Sequence, residues 1–157
     1  MCEYTYLFLI LDSDGPECYA KNREVIRKYM RFYKDSVKYF FIRSRPDMAE
    51  DIAVDGDILY SKGTESAVPG VLVKTLRSLE YCLQHYTFQH AIRTNISSFW
   101  NLHTLHKTAF STTEVTAILG EYHGSIYPSG TGMIFPRTIL PRILERQSDC
   151  DPSVPDD

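Results

Sequence analysis

The side chains able to do chemistry gather where apolar runs end. Arg93, Thr94, Asn95 and Ser97 close the apolar run at residues 88–94 and precede Phe99-Trp100 and Asn101-Leu102. Asp12, Ser13 and Asp14 follow the run at residues 4–11. Arg43-Ser44-Arg45 and Ser61-Lys62-Gly63 follow two shorter runs. If the runs are parallel strands, their carboxyl ends share one edge, and that edge is where open α/β sheets bind ligands. An edge of mixed sign suits a ligand with phosphates and a polar ring, because Arg and Lys hold phosphate oxygens through charge-assisted hydrogen bonds. Lys74, on a helix, either joins this group or is solvated, and Arg93 either holds phosphate or pairs with a nearby carboxylate. Ser129-Gly130-Thr131-Gly132 is either a tight turn needing positive φ or a place where a ligand reaches the backbone. Asp156 and Asp157 are either a frayed acidic tail or a general base.

The elements that position these residues follow from the hydrophobic pattern. Residues 4–11 (YTYLFLIL) read as a buried parallel strand. The Asp12–Pro16 stretch is a turn and helix start. Tyr19, Ile26, Met30 and Tyr33 form the next helix's apolar face, opposite Lys21, Arg23, Lys28 and Arg31. Residues 37–42 and 58–60 are strands, separated by an acidic polar connection over residues 47–57. Pro69-Gly70 opens a long helix with Leu72, Leu76, Leu79 and Leu83 as its buried stripe. Residues 88–94 are a strand, and Ser97 or Ser98 caps a helix that turns Leu102 and Leu105 inward. Residues 115–119 and 133–135 are short strands, with the Gly-rich turn between them, and residues 137–146 are a helix. The alternation gives one α/β domain over residues 1–146, a mostly parallel sheet flanked by helices, with a polar tail over 147–157.

Composition narrows the function classes. The chain has 157 residues, a formal net charge of -3 and no basic tract, so no nucleic-acid partner is expected. Its 11 Tyr are either core or cleft lining. Cys2, Cys18, Cys82 and Cys150 have no zinc spacing, and Cys18 and Cys82 read as small buried residues on helices. No signal peptide or membrane segment is legible, so a soluble, cytoplasmic protein is the default expectation. His103 and His106 are three apart without a third ligand. Asn95-Ile96-Ser97 is formally a glycosylation sequon of low specificity. Trp100 is either core or a contact to a donor base.

In this order, Asp57-Ile58-Leu59, Glu65-Ser66, Lys74-Thr75, the Arg93–Leu102 segment and Tyr127–Gly132 resemble the β-1,3-galactosyltransferase and Fringe-like glycosyltransferases. The likeness runs over residues 4–146. It implies a Rossmann-like GT-A domain that takes a UDP-sugar donor and moves a hexose or N-acetylhexosamine to a glycan acceptor with inversion. It implies a donor site at Asp12, Ser13, Lys74, Arg93, Thr94, Asn95 and Ser97, and a substrate lining at Glu65, Ser129, Gly130, Thr131 and Gly132. The family's Lys-Thr matches Arg93-Thr94, but its three aspartates are replaced by Asn95, Ile96 and Ser97. Hard dications need charged oxygen ligands. Mn²⁺ or Mg²⁺ is therefore expected to bind weakly unless Asp12, Asp14 or Glu65 substitutes. Arg93, Arg43, Arg45 and Lys74 can meet the leaving diphosphate's charge instead, or the chain is a non-catalytic sugar- or nucleotide-binding relative. Asp156-Asp157 resembles the start of the family's catalytic acidic pair, which makes the chain a fragment or a shortened form.

Overall fold

The computed structural model describes residues 3–15, 17–151 and 153. Asp156 and Asp157, the expected base, lie outside the described residues.

The strands are β1 (Glu3–Leu11), β2 (Val37–Arg45), β3 (Ile52–Asp55), β4 (Ile58–Lys62), β5 (Thr87–Asn95), β6 (Thr116–Tyr122) and β7 (Ser125–Pro136). The helices are α1 (Glu17–Met30), α2 (Gly70–His85), α3 (Leu102–Leu105) and α4 (Leu140–Glu145). Among the described residues the strands form one sheet in the order β3-β4-β2-β1-β5-β7-β6. β4, β2, β1 and β5 run parallel. β3 is antiparallel to β4, β7 to β5, and β6 to β7. The sheet is thus mixed rather than mostly parallel, because both flanks are hairpins.

β1 sits in the middle and alternates between two cores. Tyr6, Phe8 and Ile10 meet Ile26 and Met30 of α1, together with Leu102 and Leu105 of α3. Leu7 and Leu9 meet Leu79 and Cys82 of α2 and Leu140 of α4. Each such buried side chain contributes about 1.5–3 kcal/mol relative to exposure. This continuous burial is why residues 4–11 read as an unbroken apolar run.

Several boundaries differ from the sequence reading. The 47–57 connection contains β3, which pairs with β4 across Asp55-Gly56-Asp57, where Gly56 has φ +60°. β3 is largely exposed, so it has no buried face to write an alternation. β2 continues through Arg43-Ser44-Arg45. Residues 127–132 are strand rather than turn: β7 is 12 residues long, and the chain reverses at His123-Gly124, both with positive φ. α3 is 4 residues long and is capped by Asn101, whose Oδ1 accepts from the Thr104 N–H at 3.0 Å, not by Ser97 or Ser98. The buried stripe of α2 is Lys74, Thr75, Ser78, Leu79 and Cys82, with Leu72, Leu76 and Leu83 only half-buried. Cys18 is exposed, whereas burial pushes the Cys82 thiol up to about 12. Among the described residues no helix is long and apolar enough to cross a membrane.

Candidate functional site

The crossover through α1 carries the chain from β1 to β2 on one side, and the crossover through α2 returns it to β5 on the other. The chain thus leaves β1 toward β2 and leaves β5 toward β7, in opposite directions along the sheet. This is a topological switch point, the place where open α/β sheets leave a ligand crevice. An open cleft of about 270 Å³ lies there. Asp12 and Ser13 line it from β1, Asn95, Ile96 and Ser97 from β5, and Glu65, Val71 and Lys74 from α2 and its approach, with Tyr19 of α1. Six of the expected site residues, Asp12, Ser13, Glu65, Lys74, Asn95 and Ser97, thus meet in one cleft.

The cleft floor is a closed charge network. The Asp12 carboxylate is buried. It accepts from Arg23 Nη1 at 2.9 and 3.1 Å and from Arg43 Nε at 2.7 Å. Arg43 also donates to Asp14 at 2.5 Å. Lys74 Nζ, on a residue only 2% exposed, donates to the Asp12 carbonyl at 3.0 Å and to the Glu65 carboxylate. Glu65 in turn accepts from the Ser44 N–H at 2.9 Å. Carboxylates at Asp12, Asp14 and Glu65 balance cations at Arg23, Arg43 and Lys74.

That balance decides the fit of a dication. A metal needs free charged oxygens. Both oxygens of Asp12 are held by guanidinium groups, and Glu65 is held by Lys74. Asn95 and Ser97 supply only neutral oxygens. Among the described residues no group of three or more His, Cys, Asp and Glu side chains is arranged to hold a metal ion. The donor set does not fit Mn²⁺ or Mg²⁺, because the carboxylates of Asp12 and Glu65 are committed to arginine, lysine and a backbone N–H.

The other expected residues do not line the cleft. Arg93 is 2% exposed, within β5, opposite Leu9 on β1 and Met133 on β7. Thr94 Oγ1 donates to the Thr131 carbonyl at 2.7 Å and accepts from Trp100 Nε1 at 2.8 Å. The Trp100 ring also packs edge-on against Phe8. It lies so close to Gly132 that a Cβ there would stand 2.4 Å from the indole. Gly132 therefore makes room for Trp100. Ser129 and Thr131 bond each other at 3.0 Å, and Gly130 is buried on β7. Thr94, Thr131, Gly132 and Trp100 form one packed unit that fixes the β5 end against β7.

Two participants escaped the sequence reading. The apolar pattern puts Arg23 on the solvent face of α1, yet its side chain is 17% exposed and reaches Asp12. Arg27 grips Asp57 through paired bonds of 2.7 Å, joined by the Tyr39 hydroxyl at 3.2 Å. Burial alone raises the Asp57 pKa, but the Arg27 and Tyr39 bonds outweigh it and the carboxyl lies below its ordinary value. Burial and the neighbouring Asp57 push Tyr39 up to about 12. This cluster anchors α1 to the start of β4, so Asp57 has a structural partner. The legible signal for both arginines was their spacing: 23 and 27 stand four apart on one helix face.

No protein-family model matches this chain, and no curated protein matches it.

Proposed function

We propose that this domain is a GT-A-like glycosyltransferase that binds a UDP-sugar in the switch-point cleft and passes its hexose or N-acetylhexosamine to a glycan hydroxyl. The observation that carries this reading is the cleft itself. Its walls at Glu65, Lys74 and Asn95-Ile96-Ser97 belong to segments whose order resembles the family, and Asp12-Ser13 adds the wall from β1. The strand order supports it too. Taken by their sequence order, the parallel strands lie 3-2-1-4, the Rossmann half-order, not the 2-1-3-4 of flavodoxin-like sheets.

In this proposal the acceptor oxygen attacks the anomeric carbon and the bond from that carbon to the phosphate oxygen breaks. UDP leaves with the bonding electrons, and the anomeric centre inverts. Asp156 or Asp157 takes the acceptor proton. Lys74 meets the diphosphate: two of its N–H groups hold Asp12 and Glu65, and the third serves the ligand. Ser13, Asn95 and Ser97 bond the ribose and phosphate oxygens. Arg93 and Thr94 act from beneath by fixing the end of β5.

The test is a transfer assay with UDP-galactose, UDP-glucose and UDP-N-acetylglucosamine against a panel of glycan acceptors, in EDTA. UDP release coupled to an extended glycan is expected. The double change Asp156→Asn, Asp157→Asn should lower the rate about 10²–10⁴-fold, the usual contribution of a general base, with UDP affinity unchanged. UDP binding without transfer from any donor would replace this reading with a non-catalytic nucleotide-sugar-binding protein.

A further inference from the structure

A second hollow, of about 370 Å³, lies between the carboxyl ends of β2 and β4 and the first turn of α2. It shares no lining residue with the switch-point cleft. Ser44 and Ser61 face each other across the β2–β4 ladder, and both line it. Ser61 is 1% exposed, yet its Oγ has no hydrogen-bond partner. A buried hydroxyl left unpaired is costly, so such a group marks a place where a partner belongs.

The surroundings define that partner's charge. α2 is 16 residues long, its N-cap residue Pro69 offers no side-chain acceptor, and its first turn holds no acidic residue. Ser66 Oγ accepts the Gly70 N–H at 3.0 Å, and the Val73 N–H reaches the Pro69 carbonyl. Gly70 and Val73 of the first turn line the hollow, and the helix dipole adds positive potential there. Arg77 lines the hollow one turn further on, with one guanidinium N–H fixed on the Lys62 carbonyl. Lys62 adds a cation, and no lining residue is acidic. The nearest carboxylate in sequence, Glu65, is engaged by Lys74 and the Ser44 N–H.

We infer that this hollow is a second anion site, built for a tetrahedral oxyanion of the phosphate type. Ser61 Oγ–H and the remaining N–H groups of Arg77 are its donors, with Lys62 and the dipole of α2 adding positive potential. It is independent of the donor cleft and of the transferase reading. The phosphate is either free or the monoester of a sugar.

The test is a ¹H–¹⁵N titration of the whole chain at low ionic strength with inorganic phosphate, with glucose 1-phosphate, and with sodium chloride at matched ionic strength. Saturable shifts confined to Gly63, Ser66, Gly70, Val73 and their neighbours in the hollow are expected from phosphate and not from chloride. Tighter binding of glucose 1-phosphate identifies a sugar phosphate as the ligand, and equal or weaker binding identifies free phosphate. Arg77→Met should weaken the interaction about tenfold, as loss of a charge-assisted contact does. The UDP affinity of that variant should not change. Ser61→Ala should weaken phosphate binding without lowering stability. Shifts that chloride reproduces, shifts scattered over the surface, or an Arg77→Met variant with unchanged phosphate affinity would overturn the site. The wild-type titration alone decides the matter if a variant fails to fold.

Discussion

Asp12→Ala should lower the unfolding free energy by about 3 kcal/mol, the lower end of the cost of stripping one partner from a buried ion pair. The carboxylate is fully enclosed and holds two guanidinium groups, Arg23 and Arg43. Without it, two like charges face each other with little water to screen them. The cost stays at the low end because Arg43 retains Asp14, which is exposed, and Arg23 is 17% exposed and can rehydrate. Asp12→Asn keeps the shape and part of the hydrogen bonding, and should cost less than the alanine. Urea unfolding followed by Trp100 fluorescence measures both. A loss below about 1 kcal/mol for the alanine variant would mean that the network is an ordinary surface ion pair.

Lys74→Met should weaken UDP binding by about tenfold or more, the effect expected from losing a charge-assisted hydrogen bond to phosphate. Methionine fills the volume of the lysine stem, so the packing of α2 on the sheet survives. Glu65 loses its partner but is 35% exposed at its side chain and can turn to water. The expected pattern is therefore a large affinity loss beside a small stability loss. Adding Glu65→Gln removes the stranded carboxylate and separates the two contributions. Repulsion of UDP by Glu65 would be relieved in the double variant, whereas the missing cation would not be restored. Wild-type affinity in Lys74→Met would place UDP outside the cleft.

The parts of this molecule that the sequence makes legible are those with one dominant physical cause. β1, β2 and β5 are buried on both faces or nearly so, and burial writes an apolar run. Pro69-Gly70 marks the start of α2 because that dipeptide leaves few alternatives. The strand ends carrying Asp12, Ser13, Asn95 and Ser97 follow directly from these elements, so the cleft was within reach of sequence reasoning. β3 was not, since Ile52–Asp55 lies along an exposed edge, although Asp55-Gly56 is itself a hairpin signal. β7 is hidden in the sequence because its glycines look like turn residues. Gly132 in fact answers to the indole of Trp100, a long-range contact. The same holds for the polar stripe of α2. Lys74 is buried because Asp12 and Glu65 receive its ammonium, and no periodicity encodes those partners. Arg23 failed for a related reason: a long side chain can leave its helix face and bend to a carboxylate eleven residues back.

The metal question joins the fold to the proposed chemistry. The Asn95-Ile96-Ser97 replacement removes charged ligands, and the structure commits the neighbouring acids to arginine and lysine. A donor diphosphate in this cleft must be met by Lys74 and by neutral donors.

Calorimetric titration of the wild-type chain with UDP, once in Mn²⁺ and once in excess EDTA, tests this account most directly. It predicts saturable binding with the same affinity in both, reduced in Lys74→Met. Binding that appears only with Mn²⁺ would contradict the charge network at Asp12 and Glu65, and no binding in either would contradict the nucleotide-sugar site itself.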